Sequence, residues 1–166
     1  RLSTNDSEEV TTGTDTIIVS DGNNRVLAGL SGDSVTSTNG VDVVLGDNGE
    51  LSYANNILVK AVSSEATLGG IDVLNLGDGD NVVIAGHADD IVTVGNDNDT
   101  VIGDNGEINY SLAGVITDIQ STATDQGGDD EITITGGNNT VIAGYGNDEI
   151  TTGDGADDVI GDNGII

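Results

Sequence analysis

Twelve Asp and Asn residues recur at a fixed spacing, and their types and positions suit metal chemistry. When the chain is divided into nonapeptides, the sixth place is Asp or Asn in all twelve nonapeptides of three groups. These residues are Asp15, Asn24, Asp33 and Asp42, then Asp72, Asn81, Asp90 and Asp99, then Asp130, Asn139, Asp148 and Asp157. Carboxylate, amide and carbonyl oxygens are the ligands that hard cations such as Ca²⁺ prefer, at about six to eight per ion. The spacing therefore predicts a series of similar cation sites.

The three groups belong to a longer repeat. The string Gly-Asp-Asn-Gly occurs at Gly46–Gly49, Gly103–Gly106 and Gly161–Gly164, at spacings of 57 and 58 residues. We interpret 14–70, 71–128 and 129–166 as three repeats of one continuous array, the third truncated, with 1–13 as the tail of a preceding copy. The array is expected to be a fragment of a longer one. The acids of this string, Asp47, Asp104 and Asp162, are candidates either for metal ligands or for turn caps.

The elements that must position these acids are short strands and glycine-rich turns. The eighth place of all twelve nonapeptides is Val, Ile or Leu, and the fourth place is Gly in nine of them. Glycine suits a turn with positive φ, and an aliphatic residue between two variable ones suits a three-residue strand with its middle side chain inward. Two nonapeptides then form one 18-residue rung of a flattened, all-β parallel solenoid.

About 22 residues of each repeat lie outside this period, at Gly49–Gly70 and Gly106–Gly128. We predict that they form a third, wider rung after each pair of tight rungs. A hairpin that leaves the solenoid is the alternative. In either case the segment is expected to interrupt the stacking of the nonapeptide turns.

The charge balance restricts the partners of this chain. The sequence contains 30 acidic and 3 basic residues, a net charge of −27, and no cysteine. Such acidity is typical either of a disordered chain or of a fold that cations neutralise, and the regular order of the residues favours the second. Nucleic acid is excluded as a direct partner, and no apolar run is long enough to span a bilayer.

The segment Gly144–Gly161 closely resembles the repeats-in-toxin (RTX) nonapeptide, Gly-Gly-x-Gly-x-Asp-x-aliphatic-x. The resemblance implies a calcium-stabilised parallel β-roll that holds several Ca²⁺ ions between stacked turns. By position, it implies ligand pairs on two edges of the roll. They are Asp15 with Asp33, Asp72 with Asp90 and Asp130 with Asp148 on one edge, and Asp42 with Asn24, Asp99 with Asn81 and Asp157 with Asn139 on the other. The sites with Asn carry less charge and are expected to bind calcium more weakly, or not at all. The long repeats also resemble those of very large bacterial surface proteins.

No enzyme is predicted, because the single histidine, His87, has no nucleophile placed with it, and the acids recur by translation. We expect a calcium-binding structural segment (a spacer, filament or adhesin stalk) of a large secreted or cell-surface bacterial protein. Its expected partners are calcium and, through end-to-end or lateral assembly, further copies of itself. The alternatives are a module that binds glycan or another surface protein, and an accessory module of a secreted enzyme.

Overall fold

A computed structural model describes residues 1–3 and 13–166 and builds them from strands and turns. Residues 4–12 of the predicted N-terminal tail lie outside the described residues. Two six-stranded parallel sheets and one five-stranded antiparallel sheet are formed. Among the described residues, no helix is long and apolar enough to cross a membrane. The expected all-β architecture with parallel sheets is confirmed.

The two parallel sheets consist of short strands, mostly three residues long, as the nonapeptide period predicts. The first parallel sheet contains β2 (Thr16–Ile18), β4 (Ser34–Thr36), β8 (Val73–Asn75), β10 (Ile91–Val94), β14 (Glu131–Ile134) and β16 (Glu149–Thr151). The second parallel sheet contains β3 (Arg25–Leu27), β5 (Val43–Leu45), β9 (Val82–Ile84), β11 (Thr100–Ile102), β15 (Thr140–Ile142) and β17 (Asp158–Ile160). The chain alternates between the two sheets, so each pair of strands makes one rung.

Eighth-place aliphatic residues fill the space between the parallel sheets. They stack in register, for example Val35 on Leu74 in the first sheet and Val44 on Val83 in the second. The inner core that they form is buried, and its members are Val26, Val35, Val44, Leu74, Leu76, Val83, Ala85, Val92, Val94, Val101, Ile132, Ile134, Val141 and Ala143. Since period-2 alternation points one side chain of each strand inward, nine of these come from eighth places.

The prediction of a third, wider rung is wrong, because the 22-residue segments form antiparallel hairpins. In the first repeat β6 (Gly49–Ala54) pairs with β7 (Ile57–Ser63), and in the second β12 (Gly106–Tyr110) pairs with β13 (Ile116–Ser121). The first hairpin turns at Asn55 and Asn56, which have φ of 52° and 63° and suit a two-residue turn. A rung would have needed both strands to run on around the solenoid, whereas the hairpin returns the chain to the edge it left.

The expected interruption of stacking is also wrong. Because each hairpin begins and ends at one edge, the rungs on either side of it stay in contact. Thus β4 pairs directly with β8, and β5 with β9, across the first hairpin. The same continuity holds across the second hairpin, between β10 and β14 and between β11 and β15.

The hairpins form a third sheet that joins neighbouring repeats. We call it the hairpin sheet, with the strand order β1 (Leu2–Ser3), β6, β7, β12 and β13. Its contact between repeats is the antiparallel pairing of β7 with β12, in which Ile108 faces Ala61. The ion pair of Lys60 with Glu107, at 2.7 Å, bridges the same two strands.

A second core lies where the hairpin sheet packs on the outer face of the second parallel sheet. It contains Val43, Leu45, Leu51, Leu58, Ala61, Val82, Ile84, Ile102, Ile108, Ile119 and Ile142. The ninth place of every nonapeptide in the second parallel sheet is Leu or Ile, whereas the same place in the first parallel sheet is mostly Thr. The Leu and Ile residues at the ninth place therefore identify, in the sequence, the parallel sheet that the hairpins cover.

Candidate metal sites

The twelve sixth-place residues lie on two opposite edges of the solenoid, each directly before a strand. We call the edge before the first parallel sheet the aspartate edge, formed by Asp15, Asp33, Asp72, Asp90, Asp130 and Asp148. The edge before the second parallel sheet is the asparagine edge, formed by Asn24, Asp42, Asn81, Asp99, Asn139 and Asp157. The hairpins leave from the aspartate edge, between Leu45 and Asp72 and between Ile102 and Asp130. The structure thus places these residues on two edges, and their role as metal ligands stays a prediction.

On the aspartate edge the side chains form an unbroken ladder. The backbone N–H of each aspartate donates to Oδ1 of the next, as Asp72 does to Asp90 and Asp90 does to Asp130, both at 2.8 Å. The contact from Asp33 to Asp72, at 2.7 Å, crosses the first hairpin. One carboxylate oxygen of each stacked aspartate is therefore fixed by the rung before it.

The second carboxylate oxygen is buried and has no hydrogen-bond donor. This holds for Oδ2 of five residues of the aspartate edge, which are Asp33, Asp72, Asp90, Asp130 and Asp148. A buried carboxylate oxygen without a donor is costly unless a cation or a proton compensates it. The donor set of carboxylates and turn carbonyls fits a hard cation such as Ca²⁺.

A glycine leaves room for this oxygen at the start of each hairpin. A Cβ on Gly46 would collide with Oδ2 of Asp72 and with the carbonyl oxygen of Ala85. Gly103 stands in the same relation to Asp130 and Ala143. At both places a carboxylate oxygen without a donor and a backbone carbonyl oxygen lie close to the glycine, and both are oxygens of the kind that calcium takes as ligands.

Burial of the acids changes their pKa values. Desolvation, with the neighbouring carboxylates of Asp72, Asp130 and Asp47 adding to it, raises the pKa of Asp90 to about 10. Desolvation likewise raises the pKa of Asp130 to about 8 and that of Asp72 to about 7. In the absence of a cation, burial thus favours the protonated forms of Asp90 and Asp130 at neutral pH.

On the asparagine edge, amide and carboxylate side chains alternate. Asn81 accepts from the backbone N–H of Asp42 at 3.1 Å, and Asp99 accepts from that of Asn81 at 2.9 Å. Oδ2 of Asp42 and of Asp99 is buried without a donor. Burial raises the pKa of Asp99 to about 7, whereas hydrogen bonds from the backbone of Asn139 and from other groups lower the pKa of Asp157.

The acids of the Gly-Asp-Asn-Gly string make capping contacts. Asp47 accepts from the backbone N–H of Gly70 at 3.2 Å and from that of His87 at 2.6 Å. Asp104 accepts from Gly128 and Tyr145 in the same way. Both are buried, and desolvation raises the pKa of Asp47 to about 8 and that of Asp104 to about 7. Of the two roles predicted for these acids, these hydrogen bonds are those of a turn cap, and the role of metal ligand stays a prediction.

Asp162 differs from its two counterparts because it is exposed. Within the described residues, no group of three or more His, Cys, Asp or Glu side chains is arranged to hold a metal ion. The assignment of individual Asp and Asn side chains as metal ligands stays a prediction.

Sequence reasoning missed the asparagine and the serine that tie repeats together beside these sites. Nδ2 of Asn105 donates to the carbonyl of Ala66 in the preceding repeat at 3.3 Å, and Asn163 does the same to Thr124 at 3.1 Å. The backbone N–H of Gly106 donates to Oγ of Ser63, also in the preceding repeat, at 2.9 Å. The recurrence of Asn in Gly-Asp-Asn-Gly was the available signal.

Fold and site together define a β-solenoid whose stacked, acid-lined turns fit calcium. The profile of the RTX calcium-binding nonapeptide repeat (4 copies) matches residues 9–44, 67–106 and 133–165, more than half of the chain. The chain belongs to this family, whose repeats bind several Ca²⁺ ions, so the predicted resemblance and cofactor are confirmed. A search of curated proteins and a search of solved structures each gave no significant match.

Proposed function

We propose that this chain is a calcium-stiffened spacer segment, of filament or adhesin-stalk type, in a large bacterial protein outside the cell. The observation that carries the proposal is the continuity of bonding across repeat boundaries. The contact of Asp33 with Asp72, the pairing of β5 with β9 and the pairing of β7 with β12 all join one repeat to the next. A segment bonded in this way transmits force along its axis without a hinge between repeats.

The distribution of side chains supports a spacer over a binding module. Among the described residues, the exposed aromatic side chains are Tyr53, on a hairpin, and Tyr145, on a tight turn. A glycan-binding face would need such rings aligned on one surface. The acids, by contrast, recur on every rung, as expected for residues that stabilise an array rather than bind one ligand.

The proposed location is the bacterial cell surface or the surrounding medium. RTX repeats occur in secreted bacterial proteins. Because the aspartate edge concentrates buried carboxylates, the fold depends on calcium, and calcium is scarce in the cytosol but abundant outside the cell. The chain would then fold after export.

The spacer proposal is tested by the length that each repeat adds. Two parallel rungs per repeat, at about 4.8 Å each, give about 10 Å of axial rise. Small-angle X-ray scattering of chains with one, two and three extra copies of residues 71–128, in calcium, should show the maximum dimension growing by about 10 Å per copy. Growth with the square root of copy number would instead indicate a flexible string and contradict the proposal.

Self-assembly is a further part of the proposal. The outermost described strands, β2 and β3 at one end and β16 and β17 at the other, carry backbone groups that a further rung would pair. In the proposed assembly, a second copy supplies that rung. Sedimentation velocity over a hundredfold concentration range, in calcium, detects association of separate copies.

A further inference from the structure

The asparagines of the asparagine edge have an amide nitrogen inside a ring of oxygens. Nδ2 of Asn24 lies 2.9 Å from the carbonyl oxygen of Ser20, 3.1 Å from that of Gly22 and 3.0 Å from Oδ1 of Asp42, and its two N–H groups are shared among these three acceptors. Two acceptors belong to its own turn, and the third is the carboxylate of the next turn. These are the kinds of oxygen, in the same relation to two stacked turns, that a bound calcium ion would take.

Asn139 repeats the arrangement, and Asn81 repeats the contact within its own turn. Nδ2 of Asn139 lies 3.3 Å from the carbonyl oxygen of Gly137 and 2.9 Å from Oδ1 of Asp157. Nδ2 of Asn81 donates to the carbonyl of Gly77 at 2.9 Å. A contact of Nδ2 with a carbonyl oxygen of its own turn thus recurs in all three repeats, and the contact with the carboxylate of the next turn is present in the first and third.

The aspartates of the same edge have an oxygen at the corresponding position. Asp99 and Asn81 each use Oδ1 to accept a backbone N–H from the turn before. The remaining atom is the donor Nδ2 in Asn81, but in Asp99 it is Oδ2, which is buried and without a donor. Since Asp and Asn have the same shape, an aspartate oxygen placed as Nδ2 is in Asn81 would face a turn carbonyl that repels it unless a cation lies between them.

We propose that the amides of Asn24, Asn81 and Asn139 take the place of a bound cation, so that the turns they end are closed without calcium. On this edge calcium binds only after the turns that end in Asp42 and Asp99, in the gaps between repeats. This assignment differs from the pairs that the resemblance implies, which placed calcium between Asn81 and Asp99 within a repeat. It goes beyond the spacer function, because it states which turns need the ion.

Reciprocal substitutions test the assignment, with the number of calcium ions per chain as the readout. Asn81→Asp replaces the donor by an oxygen and should raise the number of bound ions by one, measured by equilibrium dialysis and isothermal titration calorimetry. Asp99→Asn should lower it by one. The control is Asn98→Asp, which adds the same charge at the exposed residue that precedes Asp99. It should leave the number of bound calcium ions unchanged.

Circular dichroism in saturating calcium verifies that each variant is folded before ions are counted. If Asn81→Asp does not fold, Asn139→Asp puts the same question to an equivalent turn. An unchanged ion number in both Asn81→Asp and Asp99→Asn would overturn the proposal. An equal gain in Asn98→Asp would also overturn it, because added charge alone would then explain the extra ion.

Discussion

The substitution Asp90→Asn should have opposite effects on stability with and without calcium. Asp90 lies in the middle of the aspartate edge, is 1% exposed, and accepts from the backbone N–H of Asp72 through Oδ1. Its Oδ2 is buried and lacks a donor. Asparagine keeps the Oδ1 acceptor and replaces the bare oxygen by an uncharged amide, so the substitution removes charge with little change of shape.

The expected size of the effect without calcium follows from proton binding. Burial raises the pKa of Asp90 from 3.8 to about 10, so at pH 7 the folded chain holds a proton that the unfolded chain has lost. Taking up that proton about three pH units above its unfolded pKa costs about 4 kcal/mol. Asp90→Asn avoids this cost and should stabilise the metal-free fold by up to about 4 kcal/mol at pH 7. The gain should vanish near pH 4, where the unfolded carboxyl is also protonated.

In saturating calcium the sign should reverse. Loss of a charged ligand from a buried site should lower the free energy of unfolding by roughly 2 kcal/mol, the range for a contact to a charged group. Urea denaturation in calcium and a pH titration in chelator, both followed by circular dichroism, measure the two effects. Asp89→Asn is the matched control, since it removes the same charge from the exposed neighbouring residue.

An equal response of the two variants in calcium would refute the reasoning. The sixth-place acids would then act as turn formers whose only influence is through net charge. A lower pH midpoint for Asp90→Asn in chelator would separately refute the account of its buried proton.

Other consequences of the structure are open to direct measurement. In chelator the chain should lose β structure as pH rises from about 4 through 8, because the raised pKa values make the folded state bind more protons than the unfolded state; circular dichroism follows the loss. Ala88 has φ of 86°, so Ala88→Gly should stabilise the calcium-loaded chain by about 0.5–1 kcal/mol in urea denaturation, whereas Ala85→Gly in the inner core should destabilise it. Ser37 has a buried hydroxyl without a partner, and Ser37→Ala should raise the thermal midpoint, consistent with a gain of about 1 kcal/mol. Asn105→Ala should lower the free energy of unfolding by about 1–2 kcal/mol in urea denaturation, because the hydrogen bond from Asn105 to the carbonyl of Ala66 in the preceding repeat is lost.

The nonapeptide register was enough to predict the parallel part of the fold. A turn of six residues and a strand of three place every eighth residue inward and every sixth residue at an edge, whatever the variable positions contain. The fourth place illustrates the strength of the pattern. Ser31, Ala88 and Asp97 stand there instead of glycine, and all three have positive φ, at 80°, 86° and 88°. The geometry of the turn is thus imposed by the stacked rungs and not by glycine alone.

The hairpins could not be predicted in the same way because they contain no inner period. Alternation of apolar residues is compatible both with a wide rung and with a hairpin, and pairing of β7 with β12 depends on residues almost 50 positions apart.

The roles of the individual sixth-place residues also could not be predicted from their spacing. Asn81 and Asp99 occupy the same place of the nonapeptide, yet one is a hydrogen-bond donor within its turn and the other has a bare buried oxygen.

The hairpins cover the apolar ninth-place residues of the second parallel sheet, and these residues in turn give the hairpins a surface to pack on. Leu45, Ile84 and Ile102 stack on the outer face of that sheet, where an uncovered solenoid would expose them to water. The hairpin sheet buries this column beneath side chains such as Leu51 and Ile108. The first parallel sheet, which no strand among the described residues covers, instead carries mostly Thr at its ninth places. Covering the outer face adds a second apolar core to a chain without Phe, Trp or Met, and the pairing of hairpins links that core from one repeat to the next. A repeat that lost its hairpin would have to lose these aliphatic residues as well, because the exposed column would otherwise favour association through that face.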